Sequence, residues 1–142
     1  MFVGQYSHNL DNKGRLAIPA KFRSQLKAAV VTKGLDNCLF LYPQKEWDKI
    51  ASKVANLPLD RPANRAFARA LLAGAVEVEF DQQGRIILPE YLRQFAALGK
   101  DVIIIGLYNR LEIWQEKKWN VYKNESDKNY NQIVETLNDL RN

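Results

Sequence analysis

The chain has 142 residues, about the length of one domain, with 46% hydrophobic and 26% charged residues. This composition excludes disordered and low-complexity classes, and no apolar run reaches the roughly 18 residues of a membrane span. One cysteine and one histidine leave little material for a disulfide, a zinc site or a catalytic triad. The N-terminus, MFVGQYSHNLDNKGR, lacks a secretory pattern, so we expect a cytoplasmic protein.

Charge is unevenly distributed along the sequence. The net charge is +5, and residues 1–80 contain twelve Lys and Arg against seven Asp and Glu, whereas residues 81–142 contain nine of each. A basic half favours a polyanionic partner such as nucleic acid. The charge alone leaves open a soluble basic protein that has no such partner.

The sequence contains an internal repeat. Residues 7–23, SHNLDNKGRLAIPAKFR, match residues 77–93, EVEFDQQGRIILPEYLR. Residues 34–47, GLDNCLFLYPQKEW, match residues 106–119, GLYNRLEIWQEKKW. The first match includes the aspartate, glycine and arginine of a D-x-x-G-R motif and the proline four residues after it. Two copies of one unit explain this pattern better than coincidence does.

Both copies predict the same order of elements. An alternating strand leads into the D-x-x-G-R turn, where Asp accepts turn amides and Gly takes a positive φ. A returning strand, a proline at a helix start and a short helix follow. Two further strands, at 29–32 and 38–42 in the first copy and at 102–105 and 111–114 in the second, meet at a Gly-x-x-Asn hairpin signal.

The two copies, 5–47 and 76–119, are each about 43 residues long, which is too short to bury much core alone. We therefore expect an α+β fold in which two tandem β-hairpin and short-helix units share one β-rich core around a pseudo-twofold axis. A helical connector at 48–75 and a C-terminal helix within 120–142 complete the predicted domain organisation.

The connector predicts a helix that Asp60 caps, that has Pro62 in its first turn and that ends before Gly74. Arginines at a spacing of four form one face of this helix, and apolar residues form the other. The basic face is either a phosphate-binding stripe or a solvated surface that pairs with carboxylates of a neighbour. The basic residues are Arg61, Arg65 and Arg69, and the apolar residues are Phe67, Ala70 and Leu71.

The C-terminal segment predicts an amphipathic helix over 126–141, with Ser126 as its cap. We expect its apolar stripe to pack on the body of the protein or on another subunit. The stripe consists of Tyr130, Ile133, Val134, Leu137 and Leu140.

The D-x-x-G-R turns are the candidate functional sites. Arginine offers five donors in a planar fork, which suits guanine edges or phosphates, and an aspartate four residues earlier can brace it. The alternative is an internal Asp–Arg pair that only holds the turn. The predicted DNA-binding residues are Lys13, Gly14, Arg15 and Arg85, and the predicted loop-bracing residues are Asp11, Asp81 and Gly84.

The two turns differ in their surrounding charge. Residues 7–27 have a net charge of +4, and residues 77–97 have a net charge of −2. We therefore expect the first turn to dominate any contact with DNA. Arg23 and Arg93, which lie beyond the prolines, are candidates for anchoring the fold instead.

Enzymatic roles lack the residues that they need. His8 lies on the apolar face of its strand and is expected in the core. A pair of catalytic carboxylates at Asp11 and Asp81 lacks the small hydroxyl residue that two-aspartate hydrolases use. Trp47 and Trp119 match in the repeat, which favours packing over base stacking. We expect no catalytic residue, metal, cofactor or small-molecule substrate.

The segments DNKGRLAIP and DQQGRIILP, together with NCLFLYPQKEW, LLAGA and IIIGLYNRLEIW, resemble the MraZ family of bacterial transcriptional regulators. This resemblance covers nearly the whole chain; a single loop would also suit the wider AbrB/SpoVT-like group of swapped-hairpin DNA binders. It implies two AbrB-like units in one chain. It places the family's D-x-x-x-R motif on Asp11 and Arg15 and again on Asp81 and Arg85.

The resemblance also implies a partner and an assembly. Family members form closed homo-oligomeric rings and bind double-stranded DNA at short repeated promoter boxes. The boxes precede the cell-division and cell-wall gene cluster, which includes the regulator's own gene, and binding usually represses it. We accordingly expect a nucleoid-associated protein in the cytoplasm.

Two other classes of function are compatible with parts of the sequence. One is a structural or interaction ring that has a basic surface and does not bind DNA. The other is an antitoxin-like partner of a toxin, for which the near-neutral, helical pattern of KNESDKNYNQIVETLNDLRN is unsuited. A steep loss of nucleic-acid binding with added salt separates the regulator from the structural ring.

Overall fold

The computed structural model describes residues 1–137. The first half contains β1 (Phe2–Asn9), β2 (Arg15–Ala17), α1 (Ala20–Arg23), a 3₁₀ turn (Ser24–Leu26), β3 (Ala29–Lys33), β4 (Leu39–Pro43), α2 (Gln44–Ala55) and α3 (Pro62–Ala73). The second half contains β5 (Val76–Val78), β6 (Arg85–Ile87), α4 (Glu90–Phe95), β7 (Asp101–Tyr108), β8 (Leu111–Gln115), α5 (Glu116–Lys128) and α6 (Tyr130–Glu135). Both halves follow the order strand, strand, helix, strand, strand, helix, so the sequence repeat is also a structural one.

The two halves exchange strands. The main sheet is antiparallel and has the order β1-β7-β8-β4-β3-β5, so each half supplies the edge strand that completes the other half's hairpin. The hairpins meet at the centre, where Leu39 pairs with Ile113 and Leu41 pairs with Leu111. This strand order confirms a pseudo-twofold arrangement, with the axis between β4 and β8.

The returning strands also pair across the halves. β2 and β6 form a two-stranded antiparallel ribbon in which Leu16 lies opposite Ile86. Within the first half, only an isolated bridge between Leu10 and Leu16 joins the returning strand to the chain before the turn. The predicted returning strands are therefore present, and their main partner is the other copy, because this pairing buries both central side chains.

One core joins the halves, as the short length of each unit predicted. The ribbon and helices α1 and α4 cover one face of the main sheet, and the side chains there form a single cluster. Fully buried members from both halves include Leu16, Leu41, Ile86, Leu88, Leu92 and Ile104. Neither half can bury these side chains without the other, so the fold is cooperative between them.

The opposite face of the sheet is covered by α2 and α5. Trp47 and Trp119 pack there against a cluster that contains Trp114, which confirms packing for the matched tryptophans. Cys38 is buried in the same cluster, and burial raises the pKa of its thiol. His8 is half-buried on β1, and burial, with Arg23 nearby, lowers its pKa.

The connector differs in part from its prediction. Pro62 begins α3 and Gly74 caps its C-terminal end, as predicted, but the N-terminal cap is Arg61 and not Asp60. The reason is that a proline in the first helical position fixes the residue before it as the cap. Leu71 is the buried residue of α3, whereas Phe67 is exposed. Helix α2 was not predicted and begins before residue 48.

The C-terminal helix also differs from its prediction. Helix α5 begins at Glu116, where the Gln115 side chain accepts a hydrogen bond from the backbone N–H of Lys118. Ser126 therefore lies inside α5 and caps nothing, and the helix breaks at Asn129. In the apolar stripe, Tyr130, Ile133 and Leu137 are exposed and Val134 is half-buried, while Leu140 lies outside the described residues. Among residues 1–137, no helix is both long and apolar enough to cross a membrane.

Candidate nucleic-acid interface

The first D-x-x-G-R turn is built around Asp11. Its Oδ1 accepts hydrogen bonds from the backbone N–H groups of Lys13 (2.9 Å) and Arg15 (2.8 Å). Its Oδ2 accepts a third, from Nε of Arg15, at 2.7 Å. The carboxylate therefore closes the turn and fixes the arginine at the same time, through charge-assisted bonds.

The second turn repeats these bonds. Asp81 accepts from the backbone N–H groups of Gln83 (2.8 Å) and Arg85 (3.0 Å) and from Nε of Arg85 (2.9 Å). In both turns the aspartate accepts its side-chain hydrogen bond from Nε of the arginine and not from the terminal Nη groups. The two interpretations of the motif are thus compatible, since one Asp–Arg pair can hold the turn and aim the arginine.

The ribbon brings the two arginines to one face. Leu16 and Ile86 point inward at its centre, so residues on either side of them point outward. In the register, Arg15 lies opposite Ile87 and Ala17 lies opposite Arg85. Nη1 of Arg85 also lies 3.9 Å from Oδ2 of Asp11 in the other half. The two copies of the motif therefore place their arginines on one surface. We call this surface the outer face of the ribbon (Arg15, Ala17, Arg85 and Ile87).

Each turn is locked to the other half through its glycine. Gly14 has a φ of +81° and is buried, and its carbonyl accepts a 2.8 Å hydrogen bond from the backbone N–H of Leu88. The carbonyl of Leu88 in turn accepts from Nε of Arg93 at 2.9 Å. We call this pair of hydrogen bonds, from Leu88 to Gly14 and from Arg93 to Leu88, the glycine clasp. Gly14 is among the residues predicted to contact DNA, and the structure places its buried backbone against the second half.

The second clasp mirrors the first. Gly84, with a φ of +76°, accepts from the backbone N–H of Ile18 at 3.2 Å, and Nε of Arg23 donates to the carbonyl of Ile18 at 2.9 Å. A Cβ at Gly84 would overlap the guanidinium of Arg23. Arg23 and Arg93 therefore anchor the fold.

The local electrostatics favour the first turn. Lys13 is exposed beside Arg15, whereas the corresponding position in the second turn is Gln83. Arg85 has two carboxylates near it, at 2.9 and 3.9 Å, and Arg15 has one at 2.7 Å. More positive charge is thus available to an anion at Arg15 than at Arg85.

Hydrogen bonding holds the pKa of both aspartates down. The backbone N–H of Arg15 is the largest cause for Asp11; desolvation opposes it, and the Arg15 side chain and the Lys13 N–H add to it, so that the pKa of Asp11 is about 2. The pKa of Asp81 is lowered for the same reason, with the backbone N–H of Arg85 as the largest cause. Both carboxylates are therefore ionised at neutral pH.

We expect Asp11→Asn to make the free energy of unfolding fall less steeply as the pH is lowered into the acid range. Because the pKa of Asp11 is lower in the folded chain, ionisation stabilises the fold above the ordinary pKa of about 4, and this contribution disappears as pH falls from about 4 to 2. Urea unfolding measured at pH 7 and pH 3 should show a smaller drop for Asp11→Asn than for wild type. An equal drop in both proteins would contradict a stabilising role for the Asp11 carboxylate.

Ile87 is a member of the outer face that sequence reasoning missed. It belongs to an uninterrupted apolar run, Ile86, Ile87 and Leu88, of which the first and last residues are buried. Such a run carries no alternation to show which residue faces outward. Its repeat counterpart, Ala17, was the available signal, since a small residue there suits an exposed face.

Two interlocked units, each with a braced arginine turn, define a tandem swapped-hairpin protein of the AbrB-like type. The family described as "MraZ protein, putative antitoxin-like" matches residues 1–70 and again residues 71–141. Similar proteins include the transcriptional regulator MraZ of Halothermothrix orenii, 49% identical over 141 residues, and that of Thermoanaerobacter sp., 52% identical over 141 residues. Each alignment covers 99% of both chains. The chain belongs to the MraZ family.

Proposed function

We propose that this protein is a transcriptional regulator that binds double-stranded DNA in a sequence-specific manner through the outer face of the ribbon. The observation that carries the proposal is the convergence of Arg15 and Arg85, each held by its own aspartate, on one surface. Two-stranded ribbons fit the major groove, where arginine reads guanine. The name of the relatives, transcriptional regulator, supports the same function. It does not describe an enzyme, which agrees with the expectation that this chain is not an enzyme.

In this proposal, Arg15 and Lys13 provide the main DNA contacts and Arg85 a weaker one. Asp11, Asp81 and Gly84 shape the two turns and do not touch bases. Lys13 is exposed at the tip of the first turn and suits a phosphate, because its flexible ammonium acts as a point charge. The acidic surroundings of Asp81 reduce the contribution of the second turn.

We further propose that the protein acts as a homo-oligomeric ring. Large apolar side chains remain exposed on α5 and α6, which supports further burial in an assembly. These residues are Val121, Tyr122, Tyr130 and Ile133. A few basic groups give weak, salt-sensitive binding, so several copies in a ring gain affinity by engaging several boxes at once.

The proposed targets are short repeated boxes in the promoter of a cell-division and cell-wall gene cluster that includes the protein's own gene. Binding there would repress transcription by occupying the promoter. The protein would work in the cytoplasm, in association with the nucleoid.

The test is a gel-shift series with the DNA upstream of the protein's own gene and a scrambled duplex of equal length. We expect selective retardation in several bands that weakens steeply with salt, at about 0.9 logarithmic units per phosphate neutralised for each tenfold rise in salt. Equal binding to both duplexes would contradict sequence specificity. Absence of binding to either would favour the structural ring.

A further inference from the structure

The outer face of the ribbon contains one large apolar side chain. Ile87 is 61% exposed, and its partner in the register is Arg15. Directly opposed residues of an antiparallel pair have Cβ atoms roughly 4.5–5.5 Å apart, so the two side chains lie next to each other. The neighbouring Ile86 supplies the buried contact at the ribbon centre. Ile87 therefore contributes little to the core and is available to a ligand that Arg15 also meets.

The chemistry of the major groove has a matching pair of groups. Guanine presents two acceptors that suit an arginine fork, and thymine presents the C5-methyl group to apolar side chains. Successive base pairs are about 3.4 Å apart along the helix axis, so adjacent side chains on a ribbon can meet adjacent base pairs. We propose that Ile87 is a specificity-determining residue that contacts a thymine methyl group beside the base that Arg15 reads. This inference rests on the proposed DNA-binding function.

The two ends of the ribbon differ in the residue that lies opposite the arginine. At the other end of the ribbon, the residue opposite Arg85 is Ala17, whose side chain is a single methyl group. A ribbon with two identical ends would read a palindromic box. Because isoleucine reaches further than alanine, the thymine contact forms only at the Arg15 end. The box read by one chain is therefore asymmetric, with thymine preferred on one side.

The surroundings of Ile87 favour a base edge over the DNA backbone. Ile87 lines an open groove of about 690 Å³ whose charged lining residues are Glu77, Glu79, Asp81 and Lys27. The three carboxylates outnumber the one ammonium group and repel phosphates, so the backbone of a duplex avoids this groove. The competing occupant of this groove is an apolar side chain of a second copy of the chain.

The experiment uses the full chain and a duplex selected by the wild-type protein from a randomised library. Each thymine of the selected duplex is replaced in turn by deoxyuridine, which removes only the methyl group. Fluorescence anisotropy should show one replacement that weakens wild-type binding about fourfold, the value for one buried methyl-sized group. Ile87→Ala should bind the unmodified duplex about as weakly as wild type binds the modified one, and should be insensitive to the replacement.

The matched control is Leu35→Ala, because Leu35 is also 61% exposed and lies away from the ribbon in the turn between β3 and β4. It should keep the wild-type response to deoxyuridine. If the wild type selects a sequence but no replacement distinguishes it from Ile87→Ala, the inference is wrong and the proposed function stands. If the wild type selects no sequence, both are wrong.

A third measurement tests the competing occupant. Light scattering should give the same mass for wild type and Ile87→Ala. A changed mass together with an unchanged response to deoxyuridine would place Ile87 in a contact between copies and overturn the inference.

Discussion

Arg15→Ala should abolish binding to the promoter DNA while the assembly stays intact. Arg15 projects from the turn beside Lys13 and makes one ion pair, with Asp11, so its removal costs the fold little. A bidentate contact of arginine with guanine accounts for about 1–3 kcal/mol, or roughly 5- to 150-fold in affinity per site. In a multivalent complex this loss is multiplied over the sites that bind together. Fluorescence anisotropy at fixed salt measures the loss, and light scattering measures the mass.

Arg85→Ala provides the comparison between the two turns. We expect a smaller loss of affinity than for Arg15→Ala, because Asp81 and Asp11 both lie near the Arg85 guanidinium. Lys53→Ala removes one positive charge from an exposed position on α2 and controls for a general effect of net charge. An equal or larger loss with Arg85→Ala would show that local charge does not rank the two turns. Unchanged affinity with Arg15→Ala would remove Arg15 from the proposed interface.

The predictable part of the fold is the content of each unit. Residues that match at a constant spacing along the sequence indicate that the two segments fold alike. The predicted strands all lie within observed strands or extend them by one residue; they are 29–32, 38–42, 102–105 and 111–114. The exchange of strands between copies was not predictable from residue patterns. Since β1 can satisfy its hydrogen bonds with either copy's hairpin, the choice depends on packing and chain connection rather than on its own residues.

The candidate site shows the same division between local and long-range information. The Asp11–Arg15 pair follows from a spacing of four residues across a tight turn, and the structure contains it. The burial of Gly14 depends on Leu88, which is distant in the sequence, so the conformational freedom of glycine was visible and its partner was not. Helix α2 was missed because its residues were assigned to a strand end and a connector.

Gly14→Ala should cause the largest loss of stability among single substitutions in the turns. A left-handed backbone costs a residue with a Cβ about 1–2 kcal/mol, and φ is +81° at Gly14. A Cβ there would also lie 2.8 Å from the backbone oxygen of Leu88, so the clasp must open. We expect Gly14→Ala to lower the free energy of unfolding by about 2–4 kcal/mol, measured by urea denaturation.

Two further glycines sharpen this test. Gly84→Ala has a similar positive φ, but its Cβ meets the side chain of Arg23, which can move at the expense of its bond to Ile18, so its loss should be smaller. Gly99→Ala is the control, because no atom beyond the neighbouring residues of the chain lies within 4 Å of the added Cβ. Because the two halves share one core, we expect unfolding of Gly14→Ala to remain a single transition. A loss of stability no greater than that of Gly99→Ala would show that the ribbon does not depend on Gly14.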